Sequence, residues 1–253
     1  MPIPLSETVQ SRVIDVHAHL VPIDLIESVR DLAIAGVAVS NHGDDRFSFE
    51  IAGYTTRVLP ERLIDVASRV RWMDQAGIGL QVVATWADLF GYTLAPESAV
   101  AWAVAQNDAI LEAVSAEPRL EAFATLPMQA PAEAAVMIPD LIDAGFCGVT
   151  FATRIGEMEL DDPALDVIWA ALSETGFPAF IHPGYGDTDP RTADYGMINA
   201  VGRPVDTTVA TARLIGGSVP ERFPGARIIL AHGGGAVPFI LGRLRRNHEI
   251  DPT

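Results

Sequence analysis

The stretch Val13-Ile14-Asp15-Val16-His17-Ala18-His19-Leu20 reads as a buried strand that ends in two histidines. Strand side chains alternate between faces, so residues i and i+2 project the same way. His17 and His19 therefore share a face, with Asp15 below them. Imidazole nitrogen is a common ligand for zinc and related divalent ions. A His-x-His strand end can hold one ion from two positions. The competing reading is two histidines of a half-buried strand bonded to backbone. The rest of the chain weighs toward the ion.

Working outward, short apolar runs alternate with helical patterns. A long excursion, 21–60, follows the first strand, punctuated by Pro22, Gly36 and Asn41-His42-Gly43-Asp44-Asp45. Long loops inside compact domains are usually functional or mobile. The spacing of Leu63, Val66, Val70 and Met73 predicts a helix over 60–76 with Gly77 as its cap. Further strands are predicted over 80–86, 121–126, 148–152, 178–182 and 227–232. The helices between and after them are predicted over 98–116, 131–144, 163–175, 205–216 and 237–247. A second excursion, 183–204, follows the fifth strand.

The junctions Ala76-Gly77-Ile78, Ala144-Gly145-Phe146 and Thr175-Gly176-Phe177 repeat one pattern, a glycine stop followed by an apolar residue. Repeated βα units argue for a parallel sheet with right-handed crossovers, and for a (β/α) barrel over a nucleotide fold. No G-x-G-x-x-G, P-loop or G-x-S-x-G is present. Barrel chemistry sits at the C-terminal ends of strands. Three predicted strands end in histidine: His17 and His19 on the first, His182 on the fifth, His232 on the sixth. His42 and His248 lie elsewhere and read as ordinary polar residues. Asp15 reads as a buried acceptor, and Glu157-Met158-Glu159-Leu160-Asp161-Asp162 as a solvated loop.

The 253 residues fit one large α/β domain, and 49% hydrophobic content suffices for a sizeable core. With 17 basic against 33 acidic residues the net charge is -16, which argues against nucleic acid or an anionic membrane as partner. Every basic residue is Arg, which excludes a Schiff base, a lysine general base and a carbamylated-lysine bridge. The single cysteine, Cys147, excludes an internal disulfide and a multi-cysteine metal site. Residues 1–12 have no apolar signal core, and no run is long enough to span a bilayer; a cytoplasmic protein is the expectation.

Ile14-Asp15-Val16-His17-Ala18-His19, Phe180-Ile181-His182-Pro183 and Leu230-Ala231-His232-Gly233-Gly234-Gly235 together resemble the amidohydrolase-related metal-dependent decarboxylases, in particular the aminocarboxymuconate-semialdehyde decarboxylase branch. Met73-Asp74-Gln75, residues 125–131 and Gly202-Arg203-Pro204 support the likeness, which covers nearly the whole chain. The resemblance implies a (β/α)8 TIM-barrel fold in a single domain spanning 1–253. It implies His17, His19 and His182 as ligands of one divalent ion, zinc first and manganese second, with no organic cofactor. His232 would be the general acid/base. Arg57 would bind a substrate carboxylate, and Arg243 a second one across a homodimer interface, since an arginine fork matches a carboxylate.

Two departures from the family pattern matter. Gly184 and Tyr185 stand where the decarboxylase has Trp after His-Pro, which touches the substrate pocket. The family's last ligand is an Asp ending an eighth strand, whereas Asp251, the only Asp after His232, follows a predicted helix. The expectation is a barrel truncated after its sixth strand or completed by another chain, with weak metal retention, association through the open edge and little activity. The implied activity is non-oxidative decarboxylation of a small unsaturated or aromatic acid. A hydrolase or hydratase on the same scaffold, or a remnant that only binds, stands as the alternative.

Overall fold

The computed structural model describes residues 13–44, 46–184 and 189–251. The elements are β1 (Ile14–Leu20), α1 (Ile23–Leu32), β2 (Val37–Asn41), β3 (Phe47–Ile51), β4 (Tyr54–Thr55), α2 (Val66–Ala76), β5 (Leu80–Thr85) and α3 (Pro96–Ser115). They continue with β6 (Leu120–Thr125), α4 (Pro131–Asp143), β7 (Gly148–Ala152), β8 (Arg154–Ile155), β9 (Met158–Glu159), α5 (Asp166–Thr175) and β10 (Pro178–His182). The last are α6 (Arg203–Gly216), the single turn α7 (Val219–Arg222), β11 (Arg227–Leu230) and α8 (Val237–Ile250). No helix of the described residues is long and apolar enough to cross a membrane.

Six parallel strands, in the order β1-β5-β6-β7-β10-β11, form a curled partial barrel, as the βα repeat predicts. Alternation along each strand builds two layers. Val83, Ala124, Val149, Phe151 and Ile181 face outward onto Ile110, Ile138, Ile168, Trp169 and Leu172 of the covering helices. Val82, Ala84, Phe123, Phe180 and Ala231 fill the concave side, where Phe123 and Phe180 stack at 5.4 Å. Such interdigitation leaves the strand ends as the place where polar side chains can gather.

The first excursion is not a loop. Leu25, Ile26 and Val29 bury one face of α1, and Phe47, Phe49 and Ile51 alternate inward from the three-stranded antiparallel sheet β2-β3-β4. These side chains close on Trp86, Leu89 and Trp102 in a second core beside the barrel. The helical and period-two spacings were present in the sequence, masked by the polar turn around Gly43. The Glu157–Asp162 run is likewise not a solvated loop: Met158–Glu159 pairs with Arg154–Ile155, and Leu160 is fully buried. Tyr185, expected to shape the pocket, lies outside the described residues.

Gly148 opens β7 where the strands are tightest. A Cβ there would stand 2.6 Å from the Pro178 carbonyl oxygen and 2.8 Å from the Phe123 ring. Backbone on one side and a packed ring on the other leave no room to yield. Gly148→Ala should cost about 1–3 kcal/mol in urea unfolding. Gly216→Ala, where a Cβ meets nothing within 4 Å, should cost nothing measurable in the same assay.

Candidate metal centre

Four histidines converge at the C-terminal end of the sheet. Ring centroids are 5.4 Å apart for His17–His19, 5.0 Å for His17–His182, 4.8 Å for His19–His182, 5.2 Å for His17–His232 and 5.0 Å for His182–His232. The ligand-capable nitrogens of His17, His182 and His232 all lie within 4.8 Å of one another. His19, expected as a ligand, is not in that group; its ring contacts those of His17 and His182. No carboxylate belongs to this group among the described residues. Asp251 sits exposed at the end of α8.

Each imidazole is placed by a local backbone device. The pairing of β1 with β5 slips between Asp15 and Ala18, a bulge that brackets His17; bulges re-aim side chains beside functional sites. Asp15 Oδ1 accepts the His17 backbone N–H (3.0 Å), and Asp15 Oδ2 accepts Gln81 Nε2 (2.8 Å). Gln81 Oε1 accepts Arg69 Nη1 (2.8 Å), and Arg69 Nη2 donates to the His19 carbonyl. Asp15 is thus an acceptor under the site, as expected. The Arg69–Gln81 part of this brace carried no motif and was not legible in the sequence.

His232 departs from the expected strand end. β11 stops at Leu230, and His232 follows in a tight turn with φ 53° and ψ 36°. That left-handed conformation costs a non-glycine residue roughly 1 kcal/mol. Gly235, at φ 63°, brings the chain so close to α6 that a Cβ would lie 2.3 Å from Pro204 O and Thr208 Oγ1. The glycine run therefore folds the backbone down onto α6 and sets His232 against His17 and His182.

The donor set fits a divalent ion. His19 Nδ1 faces the Thr85 carbonyl at 3.0 Å, and His182 Nδ1 faces the Pro183 carbonyl at 2.8 Å. A ring nitrogen opposite a carbonyl must carry the proton, which leaves Nε2 of each with a free lone pair. Burial lowers the pKa of all four: to about 4 for His19 and for His232, and in the same direction for His17 and His182. Mutual repulsion adds to burial at His19, His182 and His232. His232 Nδ1 is buried with no hydrogen-bond partner among the described residues. Neutral, convergent imidazoles are what a cation requires of its ligands.

Beside the cluster lies a cleft of about 450 Å³, walled in part by Asp88, Tyr92, Arg154, Pro183 and Arg203. Arg57 is exposed, with its guanidinium 5.0 Å from the centre of the Trp86 ring. Arg243 is exposed on α8, so this chain alone does not bring it to the histidines. His42 bonds Ser48 Oγ at 2.8 Å, and His248 is exposed on α8.

Residues 14–248 match the family model described as Amidohydrolase. The chain is 28% identical over 242 residues to the 2-amino-3-carboxymuconate-6-semialdehyde decarboxylase of Dictyostelium discoideum, covering 94% of this chain and 67% of that protein. It is 29% identical over 192 residues to the 2-keto-4-carboxy-3-hexenedioate hydratase of a Sphingobium strain, covering 71% of this chain and 54% of that protein. The crystal structure of Metarhizium anisopliae IDCase superposes with a TM-score of 0.80 at 25% identity, over 98% of this chain and 71% of that one.

The buried rings set a pH window. His19 and His232 hold pKa values of about 4 in the fold, against roughly 6.5 in an unfolded chain. Between those values the unfolded state binds protons that the folded state refuses, so stability falls as pH falls. Metal-free protein should be fully stable above pH ~6.5 and should lose unfolding free energy steadily toward pH ~4. Urea titrations at intervals across that range check this; a flat profile would mean that the rings are solvated.

Proposed function

The chain belongs to the amidohydrolase family, and from that premise we propose that it is a metal-dependent, non-oxidative decarboxylase of a small unsaturated or aromatic carboxylic acid. The observation that carries this reading is the convergence of four neutral imidazoles at the strand ends, two with their tautomers set by backbone carbonyls. The name of the Dictyostelium relative supports decarboxylation as the reaction.

His17, His19 and His182 would hold one divalent ion, zinc first on the preference of nitrogen donors and manganese second. When bound, such an ion supplies Lewis acidity and lowers the pKa of nearby water. His232 is neutral at pH 7, so it can take a proton from water and deliver it to the substrate carbon that bears the carboxylate, and the hydroxide left behind is consumed with the released CO2 as bicarbonate. A C–H bond forms there. The C–C bond to the carboxylate then breaks, its electron pair restores the substrate's π system, and CO2 leaves. Arg57, steered by the Trp86 face, would bind the substrate's carboxylate end. Arg243 would act on the neighbouring site of a homodimer.

The hydratase relative gives the second reading a specific footing, because hydration uses the same activated water without loss of carbon. A protein that only binds is the third. Metal-loaded protein incubated with a panel of unsaturated and aromatic acids should release CO2; hydration or hydrolysis products without CO2 would replace the lyase reading. Purified protein without stoichiometric divalent metal, and unable to take it up, would favour the binding-only reading. His17→Ala combined with His19→Ala should remove bound metal. His232→Ala should keep the metal and lower turnover by about two to four orders of magnitude. Loss of metal from that variant would make His232 a ligand.

A further inference from the structure

The cleft beside the histidines contains an ion pair that the proposed proton transfer does not use. Asp88 follows β5 in the turn Trp86-Ala87-Asp88-Leu89, and Arg203 opens α6 across the cleft. Arg203 Nη2 stands 3.4 Å from Asp88 Oδ1. Its Nη1 donates to the carbonyls of Pro183 (2.9 Å) and Gly184 (3.1 Å). The Asp88 side chain is 1% exposed and that of Arg203 13%. The other carboxylate oxygen, Asp88 Oδ2, is buried and has no hydrogen-bond partner among the described residues.

A loose, desolvated pair is a poor source of stability, because apolar residues of the same volume would often serve the fold as well or better. An acceptor held out of water without a donor is worse still. Both observations point to a donor from outside the chain. A lone carboxylate would repel an acidic ligand, but here it is flanked by cations. Arg203 and Arg57 both act on Asp88 electrostatically, against the burial that raises its pKa. Arg203 is also near enough for its charge to bear on His19 and His232, which places this pair beside the centre. The cleft lining mixes Arg154 and Arg203 with Asp88, Glu157 and Asp206, and within it Asp88 offers a buried acceptor beside a guanidinium. The complement of that acceptor is a ligand carrying a hydrogen-bond donor.

We infer that Asp88 is a specificity-determining acceptor for a hydroxyl or amino group on the substrate, and that Arg203 is the positioning residue that fixes it. The inference rests on the acid-binding reading of the cleft and adds the substrate's second functional group. A site built on a buried acceptor rejects the analogue lacking the donor, because the acceptor is then left unpaired.

The probes are benzoate, 3-hydroxybenzoate and 4-hydroxybenzoate, whose hydroxyls cannot chelate an ion together with the carboxylate. Calorimetry on the metal-loaded protein should find at least one hydroxybenzoate bound about tenfold or more tighter than benzoate. Replacing the pair together, Asp88→Leu with Arg203→Met, removes one charge of each sign. This variant should lose the hydroxyl preference, read as the ratio of hydroxybenzoate to benzoate affinity within the same protein. Asp88→Asn, which keeps the shape of the turn, should reduce the preference at least about threefold. No preference in the parent, or the same preference in either variant, overturns the inference. An intact Asp88-dependent preference without CO2 release from any acid would sink the decarboxylase reading and leave this one standing. CO2 release with no hydroxyl preference would do the reverse.

Discussion

Everything at the mouth of this barrel depends on keeping four imidazoles uncharged although each has at least two of the others with ring centroids 4.8–5.4 Å away. Two protonated rings at that distance in a poorly solvated site would repel by several kcal/mol. The structure avoids this by burial, which favours the neutral form, and by carbonyl acceptors that fix which nitrogen keeps its proton. Thr85 and Pro183 supply those acceptors from the ends of β5 and β10. The His19 and His182 rings are each left with a free lone pair on Nε2. Ligand geometry is thus a by-product of hydrogen-bond accounting at strand ends.

The same logic extends below the rings. β1 carries two of the four histidines and lies at one edge of the six-stranded sheet among the described residues. An edge strand has one partner to hold its register, and here that register slips at the bulge. The Asp15–Gln81–Arg69 chain compensates by tying the His17 amide and the His19 carbonyl to β5 and α2. It is a polar brace placed where sheet hydrogen bonding is weakest, and it lets a bulged edge strand present side chains with fixed aim.

Much of this was legible in the sequence because it is periodic. The βα alternation, the glycine stops and the histidines at strand ends follow from local rules, and the strands over 148–152 and 178–182 fall where the apolar runs place them. The α1–β4 segment was missed because its apolar residues are spread over short elements separated by Gly36 and Gly43, each too brief to outweigh the turn signals. His232 was read as a strand residue because a left-handed turn leaves no apolar pattern; the glycines after it were the available clue. The Arg69 brace and the Asp88–Arg203 pair join residues 12 to 115 positions apart. Nothing in one sequence relates such residues until the sheet brings them together.

Asp88 and Arg203 differ in kind from the brace under β1. In the brace, both Asp15 oxygens have donors and the Gln81 amide is used on both sides, although Arg69 Nε has no partner among the described residues. At Asp88 one oxygen is engaged at a long 3.4 Å and the other has no hydrogen-bond partner among the described residues. A fold that gives both oxygens of the half-buried Asp15 a donor beneath the histidines, yet leaves the buried Asp88 half-satisfied on the cleft wall, is not short of donors in general. The difference lies in where the two carboxylates face. Asp15 lies under the site on β1, whereas Asp88 lines the space a ligand would enter. Incomplete pairing at such a wall is how a site exchanges a little stability for discrimination. The Arg203 bonds to Pro183 and Gly184 then acquire a second meaning. Pro183 O accepts from both His182 Nδ1 and Arg203 Nη1, so the residue that fixes the acceptor also fixes the turn that orients His182. Recognition of the substrate and alignment of the centre share one carbonyl.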